Sequence, residues 1–472
     1  MTQVLNFFNQ SLFFYYLVSN LVYLVLLVAA LVATIKHQFR LAEMRIDPLH
    51  ESPFTPPVSV ICPARNEQAS IVDSVRALLD LSYPDLEVIV INDGSTDGTL
   101  GELDAAFCLT PMEVLYIPQV ESARVRGIYA SKTESGLLVI DKVGGGSKAD
   151  AVNAGINAAN SPYICVVDAD SILERDALFR IMTRVFSDNS NVVAIGGIVR
   201  ALNGSVVERG RVAEVRLPKK SIEILQVVEY LRAFLIGREG WASFGMLPII
   251  SGAFGVFRTD VVRAVGGYRP KAVGEDLDVV VRMQRYLREQ GKPYSVVFVP
   301  DPTCWTEVPS DFRSLARQRS RWQKGLLDVL WPNRDMLFRR RYGALGCFML
   351  PYLWLFELVE PIIELLGYAS IIFAATMGVL SYAFFLKFLL FGYAFATMIS
   401  IGGVLLEEMT FRRYSRWTEV ARMILYCTLE HFPYRQIHMC WRLQGMWQYI
   451  RGDLQWREMK RAGFTTPATT KR

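Results

Sequence analysis

The sequence predicts an α/β domain built on a mainly parallel sheet, with transmembrane and interfacial helices flanking it. Three observations lead to this prediction. Short β-rich runs alternate with helical segments through the middle of the chain, acidic residues follow the strand runs, and long uncharged stretches lie near both ends. Alternating strands and helices are typical of a parallel sheet covered by helices on both faces. Such sheets bind ligands at the carboxyl ends of their strands.

The first apolar stretch predicts a transmembrane helix. Leu12–Thr34 carries no charge, and as a helix it is long enough to cross roughly 30 Å of bilayer hydrocarbon. Lys36, Arg40 and Arg45 follow this stretch rather than precede it. The positive-inside rule therefore places the N-terminus outside and the main domain in the cytosol. A cleaved signal peptide is the alternative, and this order of charges disfavours it.

Two further uncharged stretches, Leu365–Leu386 and Phe388–Leu406, are separated only by Lys387. They predict two transmembrane helices joined by a short external turn. Tyr342–Phe356 is shorter and contains a proline, which favours an interfacial helix. The tail from Trp417 onward mixes Arg, His, Trp and Tyr, as helices at a membrane interface do.

Four segments follow from these patterns. The prediction is a transmembrane helix and linker at 1–50, an α/β domain at 51–335, an interfacial helix and two transmembrane helices at 336–410, and interfacial helices with a tail at 411–472.

Charge and cysteine content exclude several classes of protein. The chain has 51 Lys+Arg against 46 Asp+Glu, and the basic excess lies near the apolar segments, which suits a membrane surface better than a nucleic acid. The 7 cysteines are scattered without a close pair or a Cys/His cluster, so neither a zinc site nor a disulfide framework is indicated. A reducing compartment fits this cysteine pattern.

Within the central region, the β-rich runs predict strands and the apolar spacing predicts helices. The predicted strands are Val58–Cys62, Glu87–Ile91, Glu113–Ile117 and Tyr163–Val167, and the predicted helices cover Ile71–Leu79 and Lys148–Ala159.

Acidic residues follow two of these strands. Asp93 begins an Asp-Gly-Ser turn after the second strand, and Asp168-Ala169-Asp170 follows the fourth. An Asp-Gly-Ser turn by itself is more often a helix-capping turn than a site. Carboxylates two residues apart on an extended chain are costly to bury without a cation or another partner. The second motif therefore predicts a ligand or metal site at this edge of the sheet.

Six short motifs occur in a fixed order along the chain. They are Val58–Glu67, Asp93–Asp97, Lys148–Asn153, Asp168-Ala169-Asp170, Gly274-Glu275-Asp276 and Gln318-Arg319-Ser320-Arg321-Trp322. In this order and spacing the motifs resemble the family 2 glycosyltransferases, and in particular the processive membrane branch of cellulose, hyaluronan and poly-N-acetylglucosamine synthases. The resemblance covers about Val58 to Trp322 and implies a Rossmann-like GT-A domain.

The resemblance also implies roles for individual residues. Asp276 would be the general base that removes the acceptor proton, and Asp170 would ligate Mg²⁺ or Mn²⁺. Among the neighbours of Asp276, the choice of base depends on the family motif, because Glu275 and Asp278 are also acidic. The nucleotide would be bound by Asp93, Lys148, Asp168 and Arg321, and the acceptor by Trp322, Gln318 and Glu275. Ordinary alternatives remain for three of them: a solvated helix-start lysine for Lys148, a lipid-facing basic helix for Arg321 and a core aromatic for Trp322.

The implied activity is inverting transfer of a sugar from a nucleotide-diphosphate sugar, in particular a UDP-sugar, to a polysaccharide or a lipid-linked acceptor. The expected location is the cytosolic face of the inner membrane. Synthases that extrude their own polymer use more than three transmembrane helices. With three predicted here, an export partner or self-association would be needed to complete a channel. The alternatives are single transfer to a lipid acceptor, a non-catalytic scaffold of an export complex, or a nucleotide-sugar-binding subunit.

Two further segments carry hypotheses. Glu357, Glu360 and Glu364 share one helix face, as either a polar wall that guides the acceptor or partners of interfacial arginines. Gly452–Arg461 is similar in position to the gating loop of the processive synthases, and an interfacial anchor is its alternative.

Overall fold

The computed structural model describes residues 2–43, 55–113, 116–187, 191–208 and 210–453. Contacts divide these residues into two compact units. The sheet unit holds the described residues of Gln38–Pro218 and Gly245–Val308, and the helical unit holds those of Met1–His37, Lys219–Phe244 and Pro309–Leu454. The predicted 51–335 domain is therefore interrupted, because Lys219–Phe244 and the residues after Pro309 group with the helical unit.

The sheet unit is built on a ten-stranded sheet with the order β3-β4-β5-β2-β1-β6-β11-β8-β12-β7. Strands β5, β2, β1 and β6 at its centre are parallel, and antiparallel strands flank them. This arrangement confirms the predicted α/β class with a mainly parallel sheet. The strands are β1 Val58–Ala64, β2 Leu86–Asp93, β3 Leu109–Pro111, β4 Val125–Ser131, β5 Leu137–Lys142, β6 Tyr163–Val167, β7 Ile172–Leu173, β8 Val192–Ala201, β9 Val206–Glu208, β10 Arg211–Glu214, β11 Phe254–Arg258 and β12 Ser295–Thr306.

Helices cover the sheet through small or apolar side chains. Ile71, Val75 and Leu78 are buried at helical spacing on the helix Ile71–Leu79, as the sequence predicts. The other helices of this unit are Thr99–Phe107, Lys148–Ala158, Ala177–Ser187, Thr259–Ala264 and Glu275–Glu289.

One strand prediction is wrong. Glu113, Tyr116 and Ile117 lie outside any strand, and residues 114 and 115 lie outside the described residues. The chain instead forms β4 and β5 further on, and β5 pairs with β2 in parallel. Sequence analysis missed this pair of strands because they follow each other directly, whereas the alternating pattern led us to expect a helix after each strand.

The helical unit contains the long apolar helices. Its α-helices are Thr2–Glu43 as far as His37, Ser221–Leu231, Glu239–Ser243, Phe312–Leu330, Leu350–Tyr352, Glu360–Thr376, Tyr382–Thr410, Trp417–Leu429 and Arg435–Ile450. Its π-helical turns are Arg232–Arg238, Leu345–Met349, Leu353–Leu358 and Glu430–Tyr434.

Two helices in the described part of the chain, Phe7–Leu41 and Phe385–Thr410, are long and apolar enough to cross a membrane. A third crossing is formed if Leu345–Leu358 and Glu360–Thr376, which meet at a bend of 42°, count as one. The predicted turn at Lys387 is wrong, since this lysine lies inside Tyr382–Thr410. The break falls at residues 377–381, where Gly378 adopts a φ of +65°. A single lysine does not end a helix, because its long stem lets the ammonium reach water while the backbone stays helical.

Candidate active site

Polar residues gather where the parallel strands β5, β2, β1 and β6 end. Asp93 closes β2 and lies in register beside Lys142, which closes β5. Asp168 follows directly after β6, whose neighbour is β1. Because these strands run in the same direction, their carboxyl ends meet at one edge of the sheet. The two acidic motifs of the sequence therefore lie along this edge.

A buried lysine links two carboxylates at the end of β5. Lys142 is fully buried, and its ammonium pairs with both Asp93 and Asp150 while donating to the Val143 carbonyl at 2.8 Å. The backbone N–H of Gly145 also donates to Asp93, at 3.1 Å. Burying an ammonium is expensive unless opposite charges and hydrogen bonds compensate it. Asp93, predicted to hold the nucleotide base, thus has a structural partner as well.

The loops after β2 and β5 depend on glycine where they approach each other. Gly94 has a φ of +62°, and a Cβ there would lie 2.5 Å from the Gly144 nitrogen. A Cβ on Gly145 would overlap the Asp150 carboxylate. Two strand-end loops therefore approach each other backbone to backbone, which only residues without side chains allow.

Lys148 begins the next helix and contacts a different carboxylate. Its ammonium forms an ion pair with Asp168 and donates to the Gly252 carbonyl at 2.7 Å. The Lys148 and Asp168 side chains are 23% and 25% exposed. Burial lowers the pKa of Lys148, but the charges of Asp168 and Glu275 outweigh it and raise the pKa above its ordinary value. This lysine is therefore a partly buried cation at the sheet edge, and the alternative of a simply solvated residue does not describe it.

Asp276 lies beside this pair. It is in the first turn of the helix Glu275–Glu289, and its Oδ1 accepts from the backbone N–H of Leu277 at 2.9 Å. A Cβ on Gly252 would lie 3.1 Å from the Lys148 ammonium and 3.9 Å from the Asp276 Cβ. Lys148 and Asp276 therefore both lie beside Gly252, and Lys148 pairs with Asp168.

The structure also separates Asp276 from the acid two residues on. Asp278 is buried and pairs with Arg282 at 2.7 Å and with Arg269 at 3.3 Å. Two guanidinium groups therefore occupy its carboxylate, which leaves Asp276 as the better candidate for a proton acceptor.

The motif that begins at Lys148 also fixes the segment leading to Asp276. Asn153 is fully buried, donates to the Tyr268 carbonyl at 2.7 Å and accepts from the Tyr268 N–H at 2.8 Å. One helix therefore carries both Lys148, at its start, and the amide that orients the chain before Gly274.

Asp170 is the candidate metal ligand, and Asp168 lies two residues before it. The segment between them is held by the Ser74 hydroxyl, which donates to the Ala169 carbonyl at 2.6 Å. Their carboxylate oxygens are hard donors of the kind that Mg²⁺ and Mn²⁺ prefer. Within the described ranges, no group of three or more His, Cys, Asp or Glu side chains forms a complete metal cage. One or two carboxylates fit a metal that takes its remaining ligands from water and substrate phosphates.

Of the residues predicted to bind the acceptor or the diphosphate, Glu275 begins the helix Glu275–Glu289 of the sheet unit, and the other three belong to the helical unit. Gln318, Arg321 and Trp322 lie on the helix Phe312–Leu330. Gln318 is buried, Arg321 is half-buried, and Trp322 is 44% exposed. Trp322 is therefore not a core aromatic.

Sequence analysis missed the role of Lys142. The available signal was the lysine at the end of the apolar run Leu137–Lys142, but this run had not been recognised as a strand. Asp150 lies inside the motif Lys148–Asn153, but its partner Lys142 could not be identified without knowing that β5 ends at this lysine.

Comparison with known proteins gives a family match and two kinds of relative. The sequence model described as Glycosyltransferase like family 2 matches residues 56–325. The poly-beta-1,6-N-acetyl-D-glucosamine synthase of Staphylococcus epidermidis is 27% identical over 281 residues, which cover 58% of this chain and 57% of that protein. The synthase of the same name from Staphylococcus aureus (strain COL) is 29% identical over 267 residues, covering 56% and 53%. The chain thus spans about half the length of the curated relatives it matches.

Among solved structures, a mannosyltransferase, PcManGT from Pyrobaculum calidifontis in complex with GDP-Man and Mn²⁺, is similar with a TM-score of 0.50. It is 18% identical in sequence, and the match covers 88% of this chain and 99% of that one. At this identity the likeness concerns the fold alone.

Proposed function

The chain belongs to glycosyltransferase family 2 and has the GT-A fold, and from that premise we propose that it is an inverting, membrane-bound glycosyltransferase. It would take a sugar from a nucleotide-diphosphate donor and attach it to a polysaccharide or glycolipid acceptor. The relatives are synthases of a poly-N-acetylglucosamine, so UDP-N-acetylglucosamine is the first donor to test.

The observation that carries this proposal is the position of Lys148, which pairs with Asp168, donates to the Gly252 carbonyl and, like Asp276, lies beside Gly252. A transferase needs a cation for the diphosphate and a base for the acceptor hydroxyl within one sugar's length of each other. Here the cation and the candidate base are neighbours, and the base starts a helix that has no basic side chain in its first turn.

The proposed reaction is a direct displacement. As the acceptor oxygen bonds to the anomeric carbon, its proton passes to the Asp276 carboxylate. The bond between that carbon and the diphosphate oxygen breaks with its electron pair, and the nucleoside diphosphate leaves. Lys148 stabilises the negative charge that collects on the diphosphate, because a fixed cation in a partly buried site acts in a low dielectric. Attack from the opposite face inverts the anomeric configuration.

A divalent metal fits the same edge of the sheet. Asp170 would hold it, with Asp168 beside it, as hard oxygen donors. When bound, Mg²⁺ or Mn²⁺ neutralises charge on the diphosphate leaving group. Asp93 is assigned to the nucleotide base, with Lys142 and Gly145 fixing its carboxylate.

The family motif assigns the other positions. We infer that Arg321 binds the diphosphate through its planar fork, and that Gln318, Trp322 and Glu275 bind the acceptor. The two apolar helices support a membrane location, and we propose a multi-pass protein of the inner membrane with its catalytic domain in the cytosol.

The test is a transfer assay on the purified full chain in lipid nanodiscs. UDP-N-acetylglucosamine, UDP-glucose and GDP-mannose are each supplied with Mg²⁺, with Mn²⁺ or with EDTA. We expect one donor to give metal-dependent release of nucleoside diphosphate and a β-linked product. Donor binding without release of nucleoside diphosphate or transfer would instead identify a nucleotide-sugar-binding subunit. If no nucleotide sugar bound, the protein would be a non-catalytic scaffold.

A further inference from the structure

Arg319 lies inside the Gln-Arg-Ser-Arg-Trp motif, on the helix Phe312–Leu330, and is buried. Its side chain is 1% exposed, and its guanidinium pairs with Glu229 at 2.7 Å. Both residues belong to the helical unit, on the helices Phe312–Leu330 and Ser221–Leu231. A buried arginine is tolerated only when a partner of opposite charge compensates it. The ion pair with Glu229 is therefore what allows Arg319 to be buried at this position.

The guanidinium of Arg319 also stacks on a neighbouring ring. Its central carbon lies 4.0 Å from the centroid of the Trp322 ring. A cation over an indole face is attracted by the ring quadrupole, and more strongly when the cation is desolvated. One face of Trp322 is thus held, while the side chain remains 44% exposed.

The hydrogen bonds of Arg319 are incomplete. Its Nε and one terminal nitrogen are buried without a hydrogen-bond acceptor that meets the usual distance and angle limits among the described residues. Leaving buried donors unpaired costs stability, so the Glu229 ion pair is the main compensation for this buried cation.

Glu229 is fixed from a second side. The hydroxyl of Tyr434 donates to its Oε2 at 3.0 Å, the same oxygen that pairs with Arg319. The backbone next to Arg319 is fixed as well, because the Ser320 hydroxyl donates to the Trp441 carbonyl at 2.9 Å. The arginine is thus clamped by side chains from two other helical segments.

We propose that Arg319, clamped by Glu229 and Tyr434, is a positioning residue that fixes the ring of Trp322 so that its exposed surface can stack on the acceptor sugar. The inference rests on the proposed function, in which Trp322 is the acceptor platform. A ring that is already fixed loses less conformational freedom when the sugar binds, which strengthens acceptor binding without affecting the donor.

The test compares Arg319→Lys with the control Arg313→Lys, an exposed position on the same helix. The lysine keeps the ion pair with Glu229, and therefore the fold, but loses the planar group that stacks on the indole. With UDP-N-acetylglucosamine and a β-linked N-acetylglucosamine pentasaccharide as acceptor, we expect Arg319→Lys to raise the acceptor KM about 3- to 10-fold, the range that a lost cation–π contact and a freed side chain imply. The donor KM, the rate of donor hydrolysis and the melting temperature should match the control.

A double-mutant cycle tests whether the effect passes through the ring. If Arg319 acts by positioning Trp322, then adding Arg319→Lys to Trp322→Ala should raise the acceptor KM no further. Glu229→Gln, which weakens the clamp from the other side, should behave like Arg319→Lys. Additive effects, or an Arg319→Lys enzyme with an unchanged acceptor KM, would overturn the inference. A normal acceptor KM in Trp322→Ala would overturn the acceptor role of Trp322 and this inference with it, while transfer itself would still support the proposed function.

Discussion

Two buried clusters, one in the sheet unit and one in the helical unit, balance charge in different ways. In the sheet-unit cluster, one cation, Lys142, is shared by two carboxylates, Asp93 and Asp150. In the helical-unit cluster, one acid, Glu360, is shared by two arginines, Arg435 and Arg442. Acids at the strand ends fit a site that receives a divalent metal, whereas an acid enclosed by two arginines is a structural connection.

This difference decides between the two interpretations of the acidic face at Glu357, Glu360 and Glu364. Glu364 also approaches Arg435, at 3.5 Å, and accepts from the Tyr368 hydroxyl at 3.0 Å. Glu360 and Glu364 therefore pair with arginines, as the second interpretation predicts, and their carboxylates are not available to line a path for the acceptor. The tail hypothesis for Gly452–Arg461 lies outside the described residues from 454 onward.

The largest expected effect is at the proposed base. Asp276→Asn keeps the shape of the side chain but cannot accept a proton, so we expect turnover to fall by about 10²- to 10⁴-fold. Donor affinity, measured by calorimetry, should change little. The control is Asp260→Asn, an exposed carboxylate of the same unit that pairs with Arg258. An Asp276→Asn enzyme as active as this control would rule out Asp276 as the base.

The next-largest effect distinguishes a structural from a functional lysine, by making the same substitution at Lys142 and at Lys148. Lys142→Met leaves two buried carboxylates without their shared cation, which should lower the free energy of unfolding by about 3–5 kcal/mol. Lys148→Met removes a cation that is a quarter exposed, so its cost in stability should be smaller, but donor binding should weaken strongly. Thermal unfolding and calorimetry measure the two properties. If both variants melted at the same temperature, the division into a structural and a functional lysine would fail.

These two lysines also show how far the sequence alone reaches. Lys148 stands in a recognisable motif at a helix start; the sequence predicted the helix, and the family resemblance implied that Lys148 lines the nucleotide site. Lys142 stands at the end of a strand whose apolar run was not recognised, because β4 and β5 are successive strands without an intervening helix. Pairing between residues distant in sequence, as between Lys142 and Asp93, depends on strand order, which periodicity does not contain.

The membrane segments illustrate the same limit. The predicted stretches Leu12–Thr34 and Phe388–Leu406 fall within the two helices that are long and apolar enough to cross a membrane. Hydropathy, however, placed the break after Leu365–Leu386 at the one charged residue, Lys387. The helix in fact continues through that lysine and breaks earlier, beside Gly378. The partners of Glu360 were equally hidden, since Arg435 and Arg442 lie more than seventy residues further along the chain.

A smaller effect tests the helical side of the comparison. Glu360→Gln keeps a hydrogen-bond acceptor but removes the charge shared by two arginines, and should lower the free energy of unfolding by about 1–3 kcal/mol. Donor hydrolysis and elongation should then fall together, through stability, which is followed by melting temperature. A stable Glu360→Gln protein that hydrolyses donor normally but no longer elongates would restore the interpretation of an acceptor wall.

The smallest effect compares how the two units begin a helix. In the sheet unit, the neutral Ser147 hydroxyl accepts from the Asp150 N–H at 3.3 Å, and in the helical unit the Asp311 carboxylate accepts from the Ser314 N–H at 2.9 Å. Replacing either residue with alanine should cost about 1 kcal/mol at neutral pH. The hydrogen bond from the Ser314 backbone is the main cause that lowers the pKa of Asp311 below its ordinary value.

The two caps should therefore respond differently to acid. A carboxyl group whose pKa is lower in the folded state stabilises the fold fully above the unfolded pKa of about 3.9, and this contribution is lost as the pH falls through the folded pKa. The melting-temperature difference between Asp311→Ala and the unmodified protein should thus shrink on acidification below about pH 4. The difference for Ser147→Ala should stay constant, because a hydroxyl does not titrate in this range. Equal pH dependence in both variants would show that the Asp311 charge does not stabilise the helix that carries Gln318, Arg321 and Trp322.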